Sequence, residues 1–376
     1  MLKTLKGLGL LCLLLGALSG CDDKEENTDP QQQTNNNPAW DQLPGWQSDR
    51  HSEAWPALLN NCRVMPKKAD VWKTICNDAR TLVNPDDAMS KQFFEKHFEP
   101  QQLFAANGNA TGFFTGYYEP LLHGSFEKDE KYKYPLYKTP EELLIVDLSS
   151  LYPELKGKRV RGRVVGNKVV PFYDRSEIDS KEEPLKGQEI IWVDNRDDVF
   201  FLQIQGSGRV QLPDGKIVGV GYDNQNGHPY VSIGKRLIES GKVERKHMNL
   251  FTLKDWLAEN DDEAQVLLNE NPSYVFFNLR EDVEEGPRGS LNVPLVAERS
   301  IAVDRKQISL GSALWVDTRY PDESPLQKLV FAQDTGGAIR GELRGDFFFG
   351  NGEQAEYHAG RMKQDSTFYL LQPKNQ

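Results

Sequence analysis

The stretch "AQDTGGAIRGELRGDFFFG", Ala332 to Gly350, sets two aspartates, Asp334 and Asp346, twelve positions apart among five glycines, with three phenylalanines directly behind the second. An aspartate beside Gly-Gly is ordinarily a turn residue, because its side chain bonds nearby backbone and glycine supplies positive φ. Asp346 differs. It stands between Gly345 and Phe347-Phe348-Phe349, at what reads as the start of a strand. A carboxyl held against aromatic surface loses solvation, so its pKa rises and it keeps its proton near neutral pH. A general acid needs that property.

Other readings of the same residues are weaker. Asp334-Thr335-Gly336 matches the aspartic-protease tripeptide, but that chemistry needs two such aspartates sharing a proton. The other Asp-Thr pair, Asp317-Thr318, runs into arginine, so a protease would have to dimerise. "GNGEQA", Gly350 to Ala355, has dinucleotide-loop spacing without a βαβ unit behind it. The six histidines are scattered without ligand spacing and neither cysteine pair is a CxxC, so no metal and no cofactor is expected. No GxSxG elbow appears. A glycan site fits better: "GYYEP" and "FFF" offer rings for sugar faces, and Gln205 and Ser207 in "QIQGSG" offer amide and hydroxyl groups. Taken singly, each of these aromatics is better accounted for by a barrel core.

Outward from this stretch the chain is mainly β. "GFFTGYYEPLL", "YKYPLYK", "KRVRGRVVGNKVVPFYD", "EIIWVD" and "VFFLQIQGSGRVQL" are short apolar or alternating runs broken by Gly, Pro and Asp-Asn, which predict strands. "YVFFNL", "SIAVD", "SALWVDT", "KLVFAQD" and "STFYLLQ" continue the pattern. Helices are predicted between Trp55 and Leu103, where "VWKTICNDARTL" and "SKQFFEKHF" flank the turn Asn84-Pro85-Asp86. Further helices are predicted in "YVSIGKRLIESG" and in "TLKDWLAENDDEAQVLLNENP". This texture predicts two mainly β units with a hinge near "REDVEEGPRGS".

The N-terminus reads "MLKTLKGLGLLCLLLGALSGCDD". Lys3 and Lys6 precede an apolar run from Leu8 to about Leu18, too short to span a bilayer comfortably. Leu18-Ser19-Gly20-Cys21 resembles the bacterial lipobox. Residues 1–20 are therefore predicted as a lipoprotein signal peptide, Cys21 as the lipidated N-terminus, and 21–40 as a flexible tether too polar to fold. Cys62 and Cys76 remain in an oxidising compartment, either as a disulfide or as two buried thiols. The net charge of −11 argues against nucleic acid and against binding an anionic membrane by the protein surface.

Five segments, "FTGYYEP", "QIQGSGRV", "NPSYVFF", "VPLVAERSIAVDRKQISLGSALWVDT" and "AQDTGGAIRGELRGDFFFG", run in order from Phe114 to Gly350. Together they resemble the membrane-bound lytic murein transglycosylase A family, whose C-terminal "3D" signature would fall on Asp304, Asp334 and Asp346. The resemblance implies a double-psi β-barrel domain from residues 41–120 and 279–376, with N-terminal helices. A second β-barrel domain, 121–278, would be inserted, with a groove between the two. It implies peptidoglycan glycan strands as substrate, a membrane anchor through Cys21 facing the periplasm, and cell-wall synthesis complexes as partners. The outer membrane is favoured, although Asp22 after the lipidated cysteine also fits inner-membrane retention.

By the same resemblance Asp346 is the catalytic acid, Asp334 supports it through hydrogen bonds, and Asp304 is a further polar support. Thr115, Tyr117, Tyr118, Gln205, Gly206 and Ser207 would line the groove, and Gly336 and Gly337 would let backbone approach the sugar. A transglycosylase can work with one carboxyl where ordinary glycosidases use two, because the sugar supplies its own nucleophile. The alternative expectation is a lipid-tethered, non-catalytic peptidoglycan-binding module.

Overall fold

A layer of short helices leads the described chain. In this computed structural model residues 37–374 are described, apart from 159 and 282. The predicted signal peptide, Cys21 and nearly all of the tether lie outside the described residues. Helix α1 (Trp55–Asn61) opens with Pro56 in its first turn, where a missing N–H costs nothing. Helix α2 (Val71–Thr81) is tied to the end of α1 by a Cys62–Cys76 disulfide, with Cα atoms 5.4 Å apart. Helix α3 (Asp87–His97) is capped by Asp86, whose carboxylate accepts from the Met89 N–H at 2.8 Å. The predicted helical stretch ends sooner than Leu103. Strand β1 (Phe98–Gln102) replaces its tail, because Pro100 cannot continue a helix and is tolerated in an edge strand.

Strand β2 (Gly112–Glu119) leads across Pro120 into β3 (Leu121–Ser125), β4 (Tyr134–Tyr137) and β5 (Leu144–Ile145). A hairpin of β6 (Arg161–Val165) and β7 (Lys168–Val170) follows, then helix α4 (Arg175–Ile178) and strand β8 (Glu189–Val193). The run "VFFLQIQGSGRVQL", read as strand, is helix α5 (Arg196–Gln205) in its first half and strand β9 (Ser207–Gln211) only in its second. The local chemistry explains the correction. Asn195 accepts from the N–H groups of Asp197 and Asp198, two acids occupy the first turn, and Gly206 ends the helix at φ +83°. Its apolar residues alternate between two cores, Val199 and Leu202 in one and Phe200 and Phe201 in the other, which hides the helical period.

Strand β10 (Ile217–Gln225), helices α6 (Ile233–Glu239), α7 (Leu250–Glu259) and α8 (Asp261–Asn269), and strand β11 (Val275–Arg280) complete this middle region. Its main sheet runs β11-β10-β9-β3-β8-β4, with β5, β6 and β7 forming a small separate sheet.

The last third returns to β2. Strands β12 (Ser300–Val303), β13 (Ala313–Arg319), β14 (Pro325–Asp334) and β15 (Arg344–Asn351), helix α9 (Glu353–Arg361) and strand β16 (Lys363–Pro373) follow one another. The order β16-β13-β14-β12-β15-β2 closes on itself, because β2 also pairs with β16. Closure removes the exposed edges an open sheet would carry. Two of the pairings, β12 with β14 and β15 with β2, are parallel. Phe114, Val303, Val330, Phe347, Phe349 and Phe368 fill the interior.

The helical layer covers an outer face of β13 and β14, where Trp46, Trp55, Trp315 and Phe331 share one cluster. Arg299, 1% exposed, locks this layer to the barrel. Its guanidinium meets Asp49 bidentately at 2.7 and 2.8 Å and Glu53 at 2.8 Å. A buried cation needs such a paired and hydrogen-bonded environment.

Candidate active site

Strand β12 lies between β14 and β15, and Ala302 is opposite both Asp334 and Asp346. The pairing with β14 skips one residue: Ile301 meets Ala332, and Ala302 meets Asp334. This bulge gives Asp334 the place that Gln333 would hold in an unbroken register. The two aspartates therefore share a face of the sheet, with Cα atoms two strand spacings apart, roughly 9.5 Å. Gln333 is buried instead, donating to Ala57 and Asn61 of the helical layer.

Alternation along β15 sorts the three phenylalanines. Phe347 and Phe349 point into the barrel, whereas Phe348 shares the face of Asp346. Phe348 forms the floor of the site with Tyr117, Leu295, Ala302 and Ile339, its ring centroid 5.2 Å from that of Tyr117. Beside this floor a cavity of about 330 Å³ opens between Phe348, Leu295, Arg63, Arg209 and Glu285. A larger hollow of about 500 Å³, bordered by Asp317, Gln364 and Thr367, contains neither aspartate.

Asp346 accepts at Oδ1 from the Thr115 hydroxyl, which sits opposite it on β2. Its Oδ2 has no hydrogen bond to protein among the described residues. Burial pushes the Asp346 carboxyl up, against the pull of Arg344 and Thr115, and the charge of Asp334 adds to the rise. Arg344 in turn donates to Thr115 Oγ1 at 2.6 Å.

Asp334 is differently placed. Oδ1 accepts from the N–H and hydroxyl of Ser290 at 2.9 and 3.0 Å and from the Thr335 N–H at 2.8 Å, and Oδ2 accepts from the Tyr117 hydroxyl at 3.1 Å. Burial raises its pKa, and these four donors oppose the rise. Ser290 reaches it because Gly289 lets the loop lie on β14, where any Cβ would stand 2.5 Å from the Gln333 carbonyl. The stretch read as a hinge is tied down at its start: Arg209 donates to the Val283 carbonyl at 2.8 Å and Arg280 to that of Gly286 at 2.9 Å. The same two arginines meet the buried Glu119 at the end of β2, which joins the barrel to the middle sheet.

The remaining predicted residues divide. Asp304 accepts from the N–H groups of Lys306 and Gly341, both at 3.1 Å, and so fixes the turn entering β15. Those bonds, with Arg340 and Lys306 nearby, outweigh burial and lower its pKa. Tyr118 departs from the groove assignment. Because Tyr117 faces the site, strand alternation turns Tyr118 inward, where its hydroxyl bonds Glu356 at 2.9 Å. Ser207 is also buried, opposite Gly221 in the middle sheet. Gln205, beside Gly206, accepts from the Tyr118 N–H at 3.1 Å and ties α5 to β2. Gly336 and Gly337 lie in the loop after Asp334, with open space around Gly337. Ser290 and Arg344 escaped sequence reading; Arg344 could have been found from its place two residues before the acid, on the same strand face.

A family model described as the MltA specific insert domain matches residues 113–278, and one described as the 3D domain matches 299–372. The membrane-bound lytic murein transglycosylase A of Vibrio cholerae is 30% identical over 303 residues, 78% of this chain and 73% of that protein. The protein of the same name from Escherichia coli K12 is 31% identical over 315 residues, 81% of this chain and 74% of its own length. A crystal structure of a membrane-bound lytic murein transglycosylase from Agrobacterium tumefaciens superposes with a TM-score of 0.80 at 30% identity, covering 90% of this chain and 97% of that one. The likeness thus extends through the barrel, the middle region and the two strands holding the aspartates, and this chain belongs to the membrane-bound lytic murein transglycosylase A family.

Proposed function

We propose that this chain is a lytic transglycosylase that cuts the β-1,4 bond between MurNAc and GlcNAc in peptidoglycan, with Asp346 as its single acid and base. The observation that carries this reading is the contrast between the two aspartates. Asp334 has both oxygens engaged by four donors, so it is poorly placed to attack or to activate water. Asp346 keeps one oxygen without a protein partner, and burial favours its protonated form. One available carboxyl suits a reaction in which the substrate brings its own nucleophile.

In that reaction the proton on Asp346 passes to the glycosidic oxygen as the bond from MurNAc C1 breaks, and GlcNAc leaves with a free 4-hydroxyl. Asp346, now a carboxylate, accepts the proton of the MurNAc C6 hydroxyl. O6 closes on C1 to give the 1,6-anhydro sugar, and the acid is restored without consuming water. Intramolecular attack gains from proximity, and the Phe348–Tyr117 floor helps keep water from competing. Asp334 positions Tyr117 and adds negative charge near the cationic centre. Asp304 acts at one remove, through the turn it fixes.

The same reading takes residues 41–120 with 279–376 as the catalytic barrel domain, 121–278 as its insert, and Cys21 as a lipid anchor facing the periplasm at the outer membrane. Among the described residues no helix is long and apolar enough to cross a membrane. Mass spectrometry of muropeptides released by the chain from Asp22 onward tests the function. Anhydro-muropeptides support it; reducing-end products would indicate a hydrolase, and no release would indicate a binding module.

A further inference from the structure

We propose that Arg344 is a positioning residue that works through Thr115 to decide which oxygen of Asp346 carries the acid's proton. The proposal rests on the reading of Asp346 as the acid. A guanidinium can only donate hydrogen bonds, whereas a threonine hydroxyl has one proton to give and lone pairs to receive. Arg344 Nη2 donates to Thr115 Oγ1 at 2.6 Å, so the hydroxyl proton must point elsewhere. Its acceptor is Asp346 Oδ1. An Oδ1 already receiving a proton from threonine is a poor place for the carboxyl's own proton, which therefore sits on Oδ2. That is the oxygen without a protein partner among the described residues, and so the one left to meet a substrate.

The arrangement follows from register. In the parallel pairing of β15 with β2, Arg344 is opposite Phe113 and Asp346 is opposite Thr115, so the arginine and the acid are neighbours on one face. The guanidinium is braced over the Phe113 ring, 5.0 Å from its centroid, and bonds the Gly345 carbonyl. Without Arg344 the threonine is free to accept, and Asp346 can hold its proton on Oδ1, turned away from the glycosidic oxygen. That unproductive form is the one the relay excludes.

Four proteins test this, prepared as the whole chain in detergent: wild type, Arg344→Met, Thr115→Val and the double variant. Rates of anhydro-muropeptide release at saturating peptidoglycan are expected to fall about tenfold in each single variant, the scale of a misoriented catalytic group. The double variant should be no slower than the slower single one, because both changes break one relay. A fifth protein, Arg344→Lys, should recover part of the loss. Losses that multiply in the double variant, or an unchanged rate in Arg344→Met, would overturn the proposal.

The second readout needs no turnover. The Asp346 carboxyl is titrated by ¹³C NMR in the same proteins. Arg344→Met should raise its midpoint in both backgrounds, because its charge also acts directly on Asp346, and by clearly less when Thr115 is already valine. Equal shifts in the two backgrounds would reduce Arg344 to a nearby charge and defeat the relay. The other ionisable groups around Asp346, namely Asp334 on β14, Tyr117 on β2 and Lys363 opposite Thr115 on β16, are the same in all four proteins. A wild type that releases no anhydro product would count against the transglycosylase reading alone.

Discussion

Asp334 and Asp346 stand opposite one and the same residue, Ala302, from the two strands that flank it. They share a face yet have unequal surroundings, since one is saturated with donors and the other is left with an open oxygen. Replacing each by asparagine keeps the shape and removes the ionisable proton. Asp346→Asn is expected to lower turnover by about three orders of magnitude, the scale of general acid catalysis. Asp334→Asn should cost about ten- to a hundredfold, because its role is indirect. Release of anhydro-muropeptides, with circular dichroism as the check on folding, measures both. Equal and complete loss in two folded variants would point to a dyad.

Burial raises the folded-state pKa of Asp346 above that of an unfolded aspartate. The folded protein therefore holds this proton more tightly, and the stability it contributes is complete below the unfolded pKa and lost as pH rises through the folded value. Asparagine mimics the protonated acid at every pH. Asp346→Asn should accordingly melt higher than wild type at pH 7, with the difference closing near about pH 3, below the unfolded pKa. Wild-type activity should fall with rising pH over the same window. Thermal scans across pH decide the matter, and a gap that does not vary with pH would mean that the carboxylate is well solvated.

The Asp49–Arg299 pair pins the helical layer to β12. Asp49→Asn leaves a cation that is 1% exposed with Glu53 as its remaining carboxylate. A loss of about 3 kcal/mol is expected, the lower end for breaking a buried pair because Glu53 persists. Denaturant unfolding would show it, and a loss under about 1 kcal/mol would mean that Glu53 alone suffices.

The Cys62–Cys76 bridge closes a loop with a sequence separation of 14. For that length the loop-closure entropy predicts a stabilisation of about 3 kcal/mol. Unfolding of the Cys62→Ala/Cys76→Ala double variant against wild type measures it. The expected transglycosylase rate at 25 °C is unchanged, since the bridge lies in the helical layer and not on the face holding Asp346.

Much of the barrel was legible because its strands are short, apolar and punctuated by Gly and Asp. Even the alternation that sends Phe348 one way and Phe347 and Phe349 the other follows from period two. Helix α5 was hidden because both of its flanks are buried, which removes amphipathic contrast. Helix α9 was missed for the opposite reason: "EQAEYHAGR" buries little beyond Ala355 and Ala359. Asp346 could be singled out from its neighbours in sequence, but the contacts around the two aspartates could not. The Thr115–Asp346 and Ser290–Asp334 bonds and the bulge at Ala302 join segments that only tertiary pairing brings together.

The closure of the barrel by β2 has a consequence for biogenesis. Thr115 and Asp346 are separated by 231 residues, and the whole middle region is made between them. As the chain is made, β2 waits without its partners until β15 and β16 arrive, and that long-range pairing is intrinsically slow. Thr115 and Asp346 meet only when the last strands dock. A truncated or half-folded chain therefore lacks the pairing of Thr115 with Asp346, and a site built on that pair would switch on only with the completed barrel.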